Sequence, residues 1–365
     1  MIRVFVYFFI LGCVACSETP KNFSFKLKGD FINVDTATVQ LFSPGEENQL
    51  LLSTEMKNGQ FVLEGTIPEP GFYAIRIGER KTNIMLDAPE MYWPTDYAMV
   101  DVRYLKNSPA TKSMLNLFDF LREKYTIPTR TLLSRYECEI ENGNDSPELQ
   151  KKLDDIAAQK FAERGELILD YVKEHPNDLY LPVFIMQQIS EYDYNWGKKG
   201  YDLLAPEIQI SQPGRLLKER LEYLVHTVVG AKLPEFTVQD VEGKEVKVNL
   251  GDGKVYVIDF WASWCGPCRA LMPKLKEIYK TYIGKSVDFI SISLDSKKKD
   301  WLLAHEEEEI PWKSYWLEGD FKAEIAKLLG IDSIPFIVIV DQEGKIAGKN
   351  LRDQQLIDKI NELLK

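Results

Sequence analysis

The sequence predicts a multidomain chain: an antiparallel β domain, a helical segment and a C-terminal α/β domain, in that order. Three observations carry this reading. The 365 residues exceed the usual single domain of about 100 to 200. The texture changes twice, from period-two alternation to a 3.6-residue apolar period, then to short apolar runs alternating with helical ones. The pentapeptide Trp264-Cys265-Gly266-Pro267-Cys268 stands where one such apolar run meets a helix-forming stretch.

At the amino terminus, Arg3 precedes the apolar run VFVYFFILG, which is too short for a bilayer span of about 20 residues. Residues 1–15 therefore read as a signal peptide of the lipoprotein type. Its end, ILGCVACSETP, resembles a bacterial lipobox, with Cys16 the expected lipidation site and Cys13 the alternative. Two acyl chains anchor stably. The expected location is the cell envelope, lipid-anchored to a membrane and facing the periplasm.

Residues 22–106 alternate apolar and polar in FSFKLKG, TVQLF, QFVLEG and GFYAIRIG, with turn signals at Pro44-Gly45, Asn58-Gly59 and Pro70-Gly71. That pattern predicts a small antiparallel sandwich or barrel. Residues 107–228 turn helical, in SMLNLFDFLREKY, LQKKLDDIAAQKFAERGELILDYVKEH and LLKERLEYLVHTVV, whose apolar stripes are expected to be core faces. The aromatic stretch EYDYNWGKKGY at 191–201 reads as an interhelical loop that either contacts substrate or caps the packing. Cys138 reads as a half-buried small hydrophobe on a helix. A regulatory or intermolecular role is its alternative in an oxidising compartment.

Residues 232–365 follow a linker at Gly230-Ala231. A hairpin at 236–239 and 245–248 leads into a strand at 255–260, a helix at 267–282 and a strand at 287–294. A helix around Trp301, a helix at 321–329, a strand at 336–340, a turn at Glu343-Gly344, a short strand and a helix from Asp353 complete a sheet covered on both faces. The C-x-x-C pair then puts Cys265 over unpaired N–H groups at the positive end of a helix dipole, which favours thiolate. Cys265 is expected to attack a partner's disulfide. Cys268, one turn inside, resolves the mixed disulfide and closes a Cys265–Cys268 bridge. Pro267 suits a first helical turn, where a missing N–H costs little.

The remaining chemistry is sparse. Cys138, His175, His226 and His305 lie at no ligand spacing, so neither metal nor cofactor is expected. A net charge of −11 argues against a nucleic-acid partner. The run HEEEE at 305–309 reads as a solvated helix face.

FWASWCGPC, then Pro273, then Ile334-Pro335 before a strand, make residues 232–365 resemble a thioredoxin-fold domain of the TlpA/ResA/CcmG kind. The resemblance implies an α/β thioredoxin fold and thiol–disulfide exchange. It also implies that Pro335 is cis and faces the dithiol, so that the Ile334 backbone pairs with an extended substrate segment beside Trp264, Gly266 and Pro267. Asp259, in VYVIDF, matches the buried acid of thioredoxins. Burial would raise its pKa and let it take and return the Cys268 proton; an edge-strand acid facing water is the alternative. Pro273 is expected to kink the helix.

The front β domain resembles the domain of unknown function that precedes thioredoxin domains in many Gram-negative envelope lipoproteins. Leu271 stands where many relatives carry a glutamate, which makes the site more like ordinary thioredoxin. Ala262 stands where the peroxiredoxin motif P-x-x-x-T-x-x-C has its threonine, against peroxidase chemistry. A Gly-Pro dipeptide without histidine, and Ile before the proline, favour a reductant. Its expected partners are disulfide-containing envelope proteins and a membrane thiol electron donor. The alternatives are an oxidant or isomerase, or a ligand- or protein-binding lipoprotein whose thioredoxin domain is secondary.

Overall fold

A computed structural model describes residues 22–44, 49–144, 146–189 and 192–365. The signal-peptide and lipidation expectations at Cys13 and Cys16, with Gly45 and Glu191, lie outside them. The chain divides into two compact units between Asn116 and Leu117.

The first unit holds β1 (Phe23–Ile32), β2 (Thr36–Phe42), β3 (Leu50–Lys57), β4 (Gln60–Ile67), β5 (Gly71–Ile77), β6 (Arg80–Leu86) and β7 (Glu90–Asp96). They form one sheet in the order β6-β5-β2-β3-β4-β1-β7. Alternation sets its faces: Phe25, Leu27 and Phe31 of β1 enter the core, where Phe31 meets Trp93 edge-on at 5.2 Å. Asn58 and Gly59 both take positive φ in the two-residue turn from β3 to β4, as a twist-matched hairpin requires. A side chain on Gly59 would meet the Phe31 carbonyl at 2.2 Å. Pairing is antiparallel except between β1 and β7, which run parallel from Lys26↔Glu90 to Ile32↔Asp96. Alternation dictates which face of a strand is buried but is blind to strand direction, so this pair could not be read from the pattern.

Helix α1 (Pro109–Leu121) crosses the boundary between the units. Ser108 Oγ accepts from the Thr111 amide at 3.0 Å and an Asp87 oxygen from the Ala110 amide at 2.6 Å, satisfying two first-turn donors. A π turn at Arg122–Thr126 leads to α2 (Ile127–Glu141), followed by α3 (Pro147–Glu174), α4 (Leu181–Gln188), α5 (Tyr194–Leu203), α6 (Pro206–Gln209) and α7 (Gln212–Leu224). The expected half-burial of Cys138 does not hold. It lies on α2, which buries only Thr129, and its thiol is exposed and free. The stretch around 191–201 is mostly helix α5, not loop. Tyr192 stacks on Phe161 and Trp196 at 4.5 Å each, and Trp196 Nε1 donates to the Gly165 carbonyl at 3.1 Å, so these rings cap packing.

The rest of the second unit holds β8 (Phe236–Gln239), β9 (Glu245–Val248), β10 (Val255–Trp261), α8 (Gly266–Tyr282), β11 (Val287–Ser293), α9 (Lys298–Glu308), β12 (Lys313–Trp316), α10 (Glu324–Leu329), β13 (Phe336–Val340), β14 (Ile346–Lys349) and α11 (Asp353–Leu363). Its sheet runs β14-β13-β10-β11-β12-β8-β9, with β10, β11 and β12 parallel. All seven residues of β10 are buried. Tyr256, Ile258 and Phe260 face Phe336, Val338 and Leu329, while Val255 and Val257 face Leu275 and Ile278 of α8 and Leu356 and Ile360 of α11.

Gly230 and Ala231 do more than link. The Gly230 amide donates to the Ile346 carbonyl at 2.7 Å, and the Ile346 amide to the Ala231 carbonyl at 2.8 Å, which covers the outer edge of β14. Arg220 of α7 pairs with Asp332 at 2.6 Å. Among the described residues no helix is long and apolar enough to cross a membrane.

Candidate active site

Strand β10 delivers the site by ending abruptly. Ala262 and Ser263 turn the chain, Cys265 caps α8 with extended backbone (φ −84°, ψ 92°), and its Sγ accepts the Cys268 amide at 3.2 Å. That amide is one of the first-turn donors with no carbonyl partner inside the helix. Pro267 sits in the same turn, where its missing N–H leaves nothing unsatisfied. Cys265 and Cys268 are joined by a disulfide, with Cα atoms 5.3 Å apart. Pro273 lies inside α8.

Both sulfurs are shielded in this oxidised form. Cys265 is only 3% exposed, its sulfur bonded to that of Cys268. The surface here belongs to Trp264, 63% exposed, and to Gly266 and Pro267. The Ile334–Pro335 peptide is cis, and Cys265 Sγ lies 3.6 Å from the Ile334 carbonyl. Pro335 is buried, Ile334 half-buried, and Phe321 flanks Trp264 at 6.3 Å between ring centroids.

Asp259 is an interior acid in a central strand, not an edge residue: it is 4% exposed, and β10 lies between β13 and β11. It alternates onto the same face as Val257 and Trp261, and Trp261 packs in the buried cluster that contains both cysteines. Burial pushes its carboxyl up to about 7, opposed by the Ser291 hydroxyl, which donates at 3.4 Å, and by the Arg352 charge. Ser291 in turn accepts from Trp312 Nε1 at 2.9 Å. Arg352 also donates to the Pro335 carbonyl at 2.9 Å, so one guanidinium serves both the proline loop and the acid's electrostatics.

Sequence reasoning missed the group that holds the Cys265 loop. Asp295, 1% exposed, accepts the Ser263 amide at 2.9 Å, the Ser263 hydroxyl at 2.6 Å and the Ser293 hydroxyl at 2.8 Å. Its carbonyl accepts Trp316 Nε1 at 2.6 Å. The available signal was an acid directly after the apolar strand SISL. In the acidic run at 305–309, Glu306, Glu307 and Glu309 are exposed, as a solvated face requires, but the run also makes specific contacts. Glu307 and Glu308 bind Arg269, the residue after Cys268, at 2.7 Å each, and the Glu308 side chain is only 14% exposed. Cys138 takes no part in this cluster, and Leu271 packs between α8 and the sheet.

The C-terminal part of the chain is similar to known proteins. The thioredoxin-like family Thioredoxin_8 matches residues 252–346. The thiol-disulfide oxidoreductase ResA of one Bacillus cereus strain is 31% identical over 134 residues, which cover 34% of this chain and 71% of that protein. ResA of Bacillus thuringiensis subsp. konkukian is 29% identical over 145 residues, 38% of this chain and 77% of that protein. A crystal structure of the thioredoxin domain of a Bacteroides vulgatus thiol-disulfide oxidoreductase is 30% identical and spans 38% of this chain and 99% of its own, with a TM-score of 0.36. These matches fall on the C-terminal domain and leave the front of the chain unexplained.

Proposed function

The chain belongs to the thioredoxin-fold thiol-disulfide oxidoreductases related to ResA, and from that premise we propose that it reduces disulfides in envelope proteins. The observation that carries this is the Cys265–Cys268 pair at the N-terminus of α8, beneath the Ile334 carbonyl. In the reduced protein, the Cys265 thiolate attacks one sulfur of a partner disulfide and expels the other as a thiolate. Cys268, giving its proton to Asp259, then attacks the Cys265 sulfur and releases the second partner thiolate. The partner gains two electrons, and this protein is left as the disulfide.

Asp259 suits that proton step because a carboxyl near 7 is about half protonated at neutral pH. Trp264, Gly266, Pro267, Ile334 and Pro335 form the surface an extended partner segment meets, its backbone pairing with Ile334. A membrane thiol donor restores the dithiol, and a lipid anchor at Cys16 holds the chain facing the periplasm near that donor. Residues 22–106 serve as a module ahead of the catalytic domain at 232–365, while most of 107–228 shares a compact unit with that domain.

The direction rests on the Gly-Pro dipeptide. Equilibration of the full chain with glutathione tests it, with Cys265→Ser as the blank. A reductant has a potential below the glutathione poise of about −220 to −260 mV; one near −120 mV, in the range of a strong oxidant, would reverse the assignment.

A further inference from the structure

Arg269 is the only charged side chain in the first two turns of α8, residues 266–273. It follows Cys268 directly, and its amide donates to the Cys265 carbonyl at 3.1 Å. A bare guanidinium here would add to the helix dipole in stabilising a Cys265 thiolate. It is not bare. Nε donates to Glu308 and Nη2 to Glu307, each at 2.7 Å. The two carboxylates turn the local sum from +1 to −1.

Helix α9, which carries both acids, is packed against the site. Trp301 and Ala304 of α9, and Ile310 beyond it, pack in the same buried cluster as both cysteines, and the Lys276 ammonium donates to the Glu308 carbonyl. Other titratable groups lie nearby, Asp259 and Asp295 among them, and all are common to the variants compared below. Lys276 lies two turns further along α8 from Cys268. Burial pushes the His305 imidazole below its ordinary value, which favours its neutral form.

We propose that Glu307 and Glu308 are positioning residues that cancel the Arg269 charge and so hold the Cys265–Cys268 couple at the reducing end of its range. The inference rests on thiol–disulfide exchange by this pair and adds what sets its direction. In the equilibrium, protein disulfide plus two glutathione thiols gives protein dithiol plus glutathione disulfide. A cation beside the dithiol stabilises the thiolate-bearing right-hand side, and a cancelled one does not.

The test is this equilibrium on the full chain, in wild type and two variants. Glu307→Gln with Glu308→Gln should raise the equilibrium constant about tenfold at low salt, or about 30 mV for a two-electron couple. Arg269→Gln with the acids intact should move it the opposite way by a few-fold. Both shifts should shrink in 1 M salt, where the screening length is about 3 Å. Damage to the packing of α9 would move both variants in one direction and would not respond to salt. That result, or an unchanged constant in the double variant, overturns the inference while leaving the exchange reading intact. A wild type that never equilibrates with glutathione overturns the exchange reading, and this inference with it.

Discussion

Strands β1 and β10 belong to two seven-stranded sheets and handle polar groups in opposite ways. Along β1 alternate residues reach solvent, and its charged side chains stay wet: Lys26 pairs with Glu64 at 2.8 Å with both partly exposed. Solvent screens a pair of that kind, and it adds little to stability. Strand β10 is covered on both faces, yet carries Asp259 among six other buried residues. Water solvates the acids of the first sheet at little cost. The second sheet solvates its acid only through a serine hydroxyl and a distant guanidinium, and that shortage raises an ordinary carboxyl to about 7.

The contrast breaks most visibly when each strand loses its key side chain. Cys265→Ser should bring exchange down to the rate without protein in a disulfide-reduction assay while leaving the fold intact by circular dichroism. Phe31→Ala in β1 should do the reverse, costing about 3–5 kcal/mol in denaturant unfolding of the first unit without slowing exchange by the folded protein.

Asp259→Asn sharpens the contrast through pH. The folded carboxyl sits near 7 against an ordinary 3.8, so between those values the folded state holds a proton that the unfolded state has lost. Stability conferred on the wild type is therefore complete below about pH 4, falls as pH rises, and is fully lost above about 7. At 1.36 kcal/mol per unit the loss approaches about 4 kcal/mol, and the asparagine variant lacks it. Denaturant midpoints at pH 4 and pH 8 should show the variant gaining on the wild type. A parallel pH response of the two would refute the burial argument.

Asp295→Ala should cost less, about 1.5–3 kcal/mol, since it strands the Ser263 amide and hydroxyl. Exchange should slow, because Asp295 holds the loop that leads to Cys265. Smallest of all, Cys138→Ser on exposed α2 should stay within about 0.5 kcal/mol and leave exchange unchanged.

What the sequence made legible follows the range of each signal. Cys265, Gly266, Pro267 and Cys268 were readable because strand end, N-cap and dithiol lie within a few consecutive residues. Asp259 was readable because an acid inside VYVIDF has nowhere dry to go without consequence. The Asp295 clamp on Ser263, the Arg352 bond to Pro335 and the carboxylates on Arg269 join residues 32, 17 and 38 to 39 positions apart. Their identities are common surface types, and only the fold brings them together. The parallel β1–β7 pair was hidden for another reason, since period-two alternation reads the same in either direction.

The division of labour between the two cysteines is the central claim, and trapping with a disulfide-bonded peptide or protein tests it most directly. Cys268→Ala should accumulate a mixed disulfide that peptide mapping places on Cys265, whereas Cys265→Ala should accumulate none. A mixed disulfide mapped to Cys268, or equal trapping by both variants, would contradict the account.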